Sequence, residues 1–259
     1  MANVNTIEYQ YDQHILWISL NRVEKRNAFD AVLLDELWQT IQMGIDEPDI
    51  KALCLKAEGE YFSAGADLNT MKKIATQNFD ENLNNAKQLA DVLLGWYQCP
   101  KPTLTIVQGN AYGGALGFIA ASDYVIAQEQ AQFCFSEVRL GLIPAVISPY
   151  IIETMGYKAC KKLFLNAQNF NAVEALNFQL VDEVMPAYEL EARSERILEN
   201  WVALPQNALQ SIKPWLHDIH HQKIDETMAH KTAEKLAKIR ATSEAQFHLQ
   251  QFLQSKSKG

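Results

Sequence analysis

Short apolar runs alternate with amphipathic helical patterns through the first two-thirds of the chain, and that alternation restricts it to a mixed α/β architecture. ILWISL at 15–20 and IKALCLK at 50–56 read as strands. Between them, residues 28–43 carry Phe29, Leu33, Leu37 and Ile41 at i+4 steps with Val32 beside them. Such spacing puts the apolar side chains on one face of a helix, stopped before Pro48. A second helix fits 81–98, with Leu83, Ala86, Ala90, Leu93 and Tyr97 on one face. Residues 103–108 read as a strand entered from Pro102, 113–122 as a small-residue helix, and 124–128 as another strand. Ser148-Pro149 starts a helix that Gly156 stops, and Asn171-x-x-Glu174 resembles a capping box ahead of a helix at 172–178. From about Tyr188 nearly everything reads as helical. The stretch 223–253 contains neither Gly nor Pro, and the tail SKSKG reads as frayed. The expected organisation is an α/β core over 1–190 and a helical region over 191–259.

Charge narrows the functional classes. With 31 acidic against 23 basic residues the net charge is −8, which repels nucleic acid unless the bases cluster, and they barely do. An anionic ligand stays compatible, because helix N-termini and a few placed cations bind phosphate locally. No run approaches the ~18 apolar residues of a membrane span. The start, MANVNTIEYQYDQ, has no basic stretch followed by an apolar one, so no secretory signal and a cytoplasmic location are expected. Cys54, Cys99, Cys134 and Cys160 lie far apart in apolar surroundings and read as buried reduced thiols. His217, His220, His221 and His230 fall in the polar helical tail and His14 stands alone, so no metal is expected. No G-x-S-x-G elbow is present, and neither Ser63 nor Ser136 has an evident histidine base.

Three segments are suited to chemistry. FSAGADL at 62–68 follows a strand, and its small residues let a ligand approach the backbone; a tight turn ending the strand is the plain alternative. GNAYGGALG at 109–117 runs from strand into helix. Free N–H groups and the positive end of the helix dipole therefore converge at Gly113 and Gly114, where an oxyanion or phosphate is stabilised. Glu129, about 20 residues beyond Gly109, imitates a dinucleotide site, but Gly109-Asn110-Ala111 lacks the G-x-G pair. FCFSEVRLGLIP at 133–144 places Glu137 in an apolar stretch, where desolvation raises a carboxyl pKa and makes it a usable proton carrier. Its alternative is a Glu137–Arg139 surface pair on one strand face.

Together these segments resemble the enoyl-CoA hydratase/isomerase, or crotonase, family. LNRVEKRNAF at 20–29, FSAGADL at 62–68, GNAYGGALG at 109–117, SEVRLGLIP at 136–144 and NAVEALNFQLVDEV at 171–184 follow the family order and spacing. The resemblance implies a spiral of β-β-α turns with a helical C-terminal trimerisation region, and a homotrimer or homohexamer. It implies an acyl-CoA thioester held with its oxygen between the backbone N–H groups of Ala66 and Gly114, with Glu137 as the catalytic carboxylate. Coenzyme A is then part of the substrate, and no separate cofactor is expected. Contacts to the substrate fall on Lys25, Arg26, Ala28, Ala64, Asp67, Leu68 and Gly117. Lys25 and Arg26 are the phosphate candidates, with solvated surface charges as the alternative.

Two departures qualify the resemblance. Gly117 stands where the family carries a second catalytic glutamate, and LGLIPAVISPYIIETMG replaces a glycine-rich continuation. Both features are most similar to the branch containing bacterial 3-methylglutaconyl-CoA hydratases of leucine breakdown. The implied activity is hydration of an enoyl-CoA double bond. Isomerisation or decarboxylation by the same site, and a non-catalytic acyl-CoA binder, are the alternatives.

Overall fold

The structure, a computed structural model, describes residues 5–256. It begins with a hairpin of β1 (Ile7–Asp12) and β2 (Ile15–Leu20), followed by α1 (Ala31–Asp46) and β3 (Ala52–Ala57). Next come β4 (Tyr61–Ser63), α2 (Leu68–Ile74), α3 (Phe79–Tyr97), β5 (Thr103–Val107), β6 (Asn110–Tyr112) and α4 (Ala115–Ala120). They are followed by β7 (Tyr124–Gln128), β8 (Gln132–Cys134), α5 (Ser148–Asn166), β9 (Phe170–Asn171), α6 (Ala172–Asn177) and β10 (Glu183–Met185). The chain closes with α7 (Leu190–Ala203), α8 (Gln206–Ile219), α9 (Glu226–Arg240) and α10 (Ser243–Lys256).

Successive strands divide between two sheets. The larger has the order β1-β2-β3-β5-β7-β10 and the smaller β4-β6-β8-β9. The pairs β3-β4, β5-β6 and β7-β8 each lay one strand in the large sheet and the next in the small sheet before a helix follows: the β-β-α spiral. β2, β3, β5, β7 and β10 are mutually parallel, and β4, β6 and β8 are parallel to one another. β5 is buried at every residue, as a strand covered on both faces should be. On one face of the large sheet, Leu33, Leu37 and Ile41 of α1 join Leu93 and Trp96 of α3 and Phe118 of α4 in the main core. On the other, α7 packs Leu190, Ile197 and Leu198 against Ile15, Cys54, Leu104 and Ile126. The four cysteines are buried and unpaired.

Three features go beyond the sequence reading. β1 was not anticipated, because its side chains are exposed after Ile7 and so form no apolar run. Gly156, at φ 75°, ψ 155°, stops the helix begun at Ser148 as its sequence suggests, and a second helical segment, not anticipated, continues α5 to Asn166. The stretch 223–253 is two helices, α9 capped by the Asp225 carboxylate on Met228 N–H, and α10 started by the Thr242 hydroxyl on Ala245 N–H. Of the tail SKSKG, Ser255 and Lys256 end α10, and 257–259 lie outside the described residues. No helix of the described residues is long and apolar enough to cross a membrane.

Candidate active site

The small sheet brings the three chemical segments together. Parallel neighbours in a sheet lie about 4.8 Å apart, and β4, β6 and β8 end at Ser63, Tyr112 and Cys134. Ala66, Gly114 and Glu137 follow those ends by two or three residues, so all three emerge over the same sheet edge. The ends are also in contact. Gly113 N–H donates to Cys134 O at 3.0 Å. A Cβ added to Gly65 would stand 2.8 Å from Tyr112 O, and Gly65 has φ +83°, so only glycine fits there.

Two unused N–H groups result. Ala66 forms an isolated parallel bridge with Phe29. In that bridge Phe29 N–H donates to Gly65 O at 2.7 Å and Asp67 N–H donates to Phe29 O at 2.9 Å. The bonds use the flanking peptides, so Ala66's own N–H faces away from Phe29. Gly114 is the residue before α4, and its N–H lies beyond the strand ladder and ahead of the helical bonds. Among the described residues, neither N–H has a protein acceptor.

The loop holding Ala66 is braced by residues the sequence reading passed over. Arg22 bonds Ala28 O at 2.9 Å, Asp67 at 3.0 Å and Asp30 at 2.9 Å. Asn27 is fully buried at φ +53°; its amide donates to Glu58 O at 2.8 Å and Tyr61 O at 2.9 Å, and its Oδ1 accepts from Arg22 N–H. Ser63 Oγ donates to Asn27 O at 2.7 Å and accepts from Gly65 N–H at 3.1 Å. The signal was present in LNRVEKRNAF, where Arg22 and Asn27 flank the residues singled out. Asp67 is 3% exposed, and its carboxylate caps α2 through the N–H groups of Asn69 and Thr70. Burial pushes its carboxyl pKa up, but those two N–H groups and Arg22 outweigh burial and hold it below the ordinary value. Its carboxylate therefore fixes the loop's shape.

Glu137 opens a single 3-10 turn, Glu137–Leu140, not a strand. Its Oε1 lies 3.4 Å from where a Cβ on Gly113 would be, beside the start of α4. Its Oε2 is buried with no hydrogen-bond partner among the described residues. Burial raises its pKa, only partly offset by its own backbone N–H. The surface-pair alternative is overturned, because Arg139 instead donates to Ala167 O at the end of α5.

The remaining candidates separate by environment. Ala28 is buried, with its N–H on Lys25 O and its carbonyl on Arg22. Ala64 N–H donates to Arg26 O at 2.9 Å. Leu68 is 74% exposed at the start of α2, an apolar side chain open to a ligand. Lys25 is exposed, and the Arg26 guanidinium lies 4.9 Å from the centre of the Tyr61 ring. Gly117 is buried beneath Ile147 and Leu93, so the second glutamate position opens onto packed apolar side chains. Among the described residues, no three His, Cys, Asp or Glu side chains converge as a metal would require.

Comparison with known proteins gives the family and the fold. The sequence profile of the family described as "Enoyl-CoA hydratase/isomerase" matches residues 10–258. The crystal structure of an enoyl-CoA hydratase from Shewanella pealeana superposes with TM-score 0.94 at 37% identity, covering 98% of this chain and 95% of that one. An enoyl-CoA isomerase/hydratase of Mycosarcoma maydis is 33% identical over 180 residues, 64% of each protein. A trans-2-decenoyl-[acyl-carrier-protein] isomerase of Streptococcus mutans is 24% identical over 209 residues, 80% of each.

Proposed function

This chain belongs to the enoyl-CoA hydratase/isomerase family, and on that premise we propose that it hydrates an enoyl-CoA thioester with Glu137 as the proton carrier. The observation that carries this reading is the buried, unpartnered Oε2 of Glu137 beside a helix start whose Gly114 N–H is unused. In the proposed reaction the thioester oxygen accepts hydrogen bonds from Ala66 and Gly114 N–H. Glu137 takes a proton from water as the water oxygen bonds to C3. The C2=C3 electron pair moves toward the thioester, and the charge collects on its oxygen as an enolate. The protonated Glu137 then returns its proton to C2 on the same face, so that one water is added overall. Preorganised donors stabilise the enolate more than the neutral carbonyl, and each is worth about 10²–10³ in rate. Arg26, whose carbonyl holds Ala64, places a cation near the loop for the nucleotide phosphates, and Leu68 offers an apolar contact to the thioester arm.

Within that reaction we favour 3-methylglutaconyl-CoA as the substrate. What supports it is the turn before α5, where the N–H groups of Val146 and Ile147 have no protein acceptor among the described residues and suit a second carboxylate. Ser148 does not contribute, because its N–H and hydroxyl both donate to Pro144 O at 3.0 and 2.6 Å. The test is a panel of enoyl-CoA thioesters followed by mass spectrometry. A kcat/KM for 3-methylglutaconyl-CoA at least ~10-fold above crotonyl-CoA supports the substrate, and an equal or reversed preference removes it.

A second reading, double-bond isomerisation, is favoured by Gly117. One carboxylate suffices to take a proton from C2 of a 3-enoyl-CoA and return it to C4, and no second acid is needed to hold water. Conversion of a 3-enoyl-CoA to its 2-enoyl isomer, without uptake of ¹⁸O from labelled water, distinguishes it.

A further inference from the structure

We infer that Ile147 is the positioning residue that commits this site to a single carboxylate, because it fills the space into which any side chain at position 117 would project. The inference rests on the acyl-CoA reading above and extends it to a residue outside the recognised motifs. A Cβ added to Gly117 would lie 2.5 Å from Ile147 Cγ2, 3.1 Å from Ile147 Cβ and 3.1 Å from Leu93 Cδ1. Non-bonded carbon atoms sit best at about 3.5–4.0 Å, and 2.5 Å is far inside that distance, so even alanine overlaps Ile147 there.

Ile147 is poorly able to yield. Two of the three clashing atoms belong to its β-branch, close to the backbone, where few rotamers are available. Its backbone sits in a turn closed by Ser148 N–H on Pro144 O at 3.0 Å and by Ile151 N–H on Ile147 O at 3.1 Å. It is 2% exposed, and Leu93 is fully buried. The two departures of this chain, Gly117 and the LIPAVISPY segment, are therefore two halves of one packing contact.

The consequence is chemical. A site with two carboxylates works with one ionised and one protonated, which gives a bell-shaped pH profile. With position 117 closed, Glu137 must be ionised at the start of both hydration and dehydration. Activity in both directions then falls on the acid side alone. Other titratable groups near Glu137 are the Cys134 thiol, which donates to Ala167 O, and Arg139, which donates to the same carbonyl. Neither stands in for a second acid.

Two measurements on the full-length protein test the inference. In a thermal double-mutant cycle, Gly117→Ala should lower Tm by about 5 °C in the wild-type background and by less than half as much with Ile147→Ala. An equal loss in both backgrounds overturns the packing claim, whatever the protein's activity. Kinetically, wild type should show a single acid limb in both directions. The Gly117→Glu/Ile147→Ala double variant should fold and acquire an alkaline limb. A bell-shaped wild-type profile, or a folded double variant whose profile is unchanged, overturns the catalytic claim. Loss of all enoyl-CoA turnover in wild type would instead remove the functional reading, leaving the thermal cycle to decide the packing.

Discussion

Arg22 and Asp67, 45 residues apart in sequence, meet at 3.0 Å, and the same guanidinium holds Ala28 O and Asp30. Their side chains are 15% and 5% exposed, so the pair is mostly shielded from water. Removing the arginine leaves the Asp67 and Asp30 carboxylates without their shared cation. Arg22→Ala should therefore cost about 2–4 kcal/mol in urea unfolding and raise KM by loosening the loop that carries Ala66. The Asp67 carboxyl is held below its ordinary pKa in the fold. Its stabilisation is thus complete above the unfolded carboxyl pKa and is lost as pH falls through the lowered value. Asp67→Asn should flatten that acid-side loss of stability; an unchanged acid limb contradicts the assignment.

Two glycines of the site should respond differently to alanine. Gly65 has φ +83° and a backbone oxygen 2.8 Å from its missing Cβ, whereas Gly114 is helical at φ −53° with its nearest neighbour, a leucine methyl, at 3.4 Å. Gly65→Ala should destabilise by about 1–3 kcal/mol and abolish turnover, because it shifts the loop against Tyr112. Gly114→Ala should leave Tm nearly unchanged. Equal thermal losses would contradict this local geometry.

Glu137 couples activity to stability with opposite signs. Burial raises its pKa, so the ionised base is populated only above that raised value, and kcat/KM should fall as pH falls through it. For stability, a raised acid contributes fully below the unfolded pKa, and that contribution is lost as pH rises through the folded value. Glu137→Gln should therefore gain Tm over wild type more at pH 8 than at pH 4. A difference independent of pH argues that the carboxylate is solvated.

Long-range packing explains what the sequence did and did not disclose. The stripe Leu33, Leu37, Ile41 is buried, and so is the run ILWISL apart from half-buried Trp17, as a helix stripe and an apolar strand should be. The clustering of Ala66, Gly114 and Glu137 was reached through the family resemblance, because parallel pairing of β4, β6 and β8 joins segments that local pattern does not relate. Asn27 and Arg22 were hidden for a different reason. A buried asparagine and a thrice-bonded arginine have the same appearance in sequence as solvated ones. Ile147 was legible only as one apolar residue among several.

The C-terminal helices carry their own expectation. Ile212 and Leu216 on α8, Leu236 on α9 and Phe247, Phe252 and Leu253 on α10 are 49–64% exposed. An apolar surface of that kind is generally covered by another chain, and we propose that this chain assembles as a trimer or a pair of trimers. Light scattering at micromolar concentration should return three or six times the 29.3 kDa chain mass. A monodisperse monomer contradicts it.

In the proposed mechanism Glu137 is the proton carrier of an acyl-CoA reaction. The most direct measurement is the turnover of Glu137→Gln on the enoyl-CoA that wild type handles best, beside its affinity for free coenzyme A. Its kcat should fall by about 10²–10⁴-fold with coenzyme A affinity and fold retained. A variant that turns over at close to the wild-type rate contradicts it.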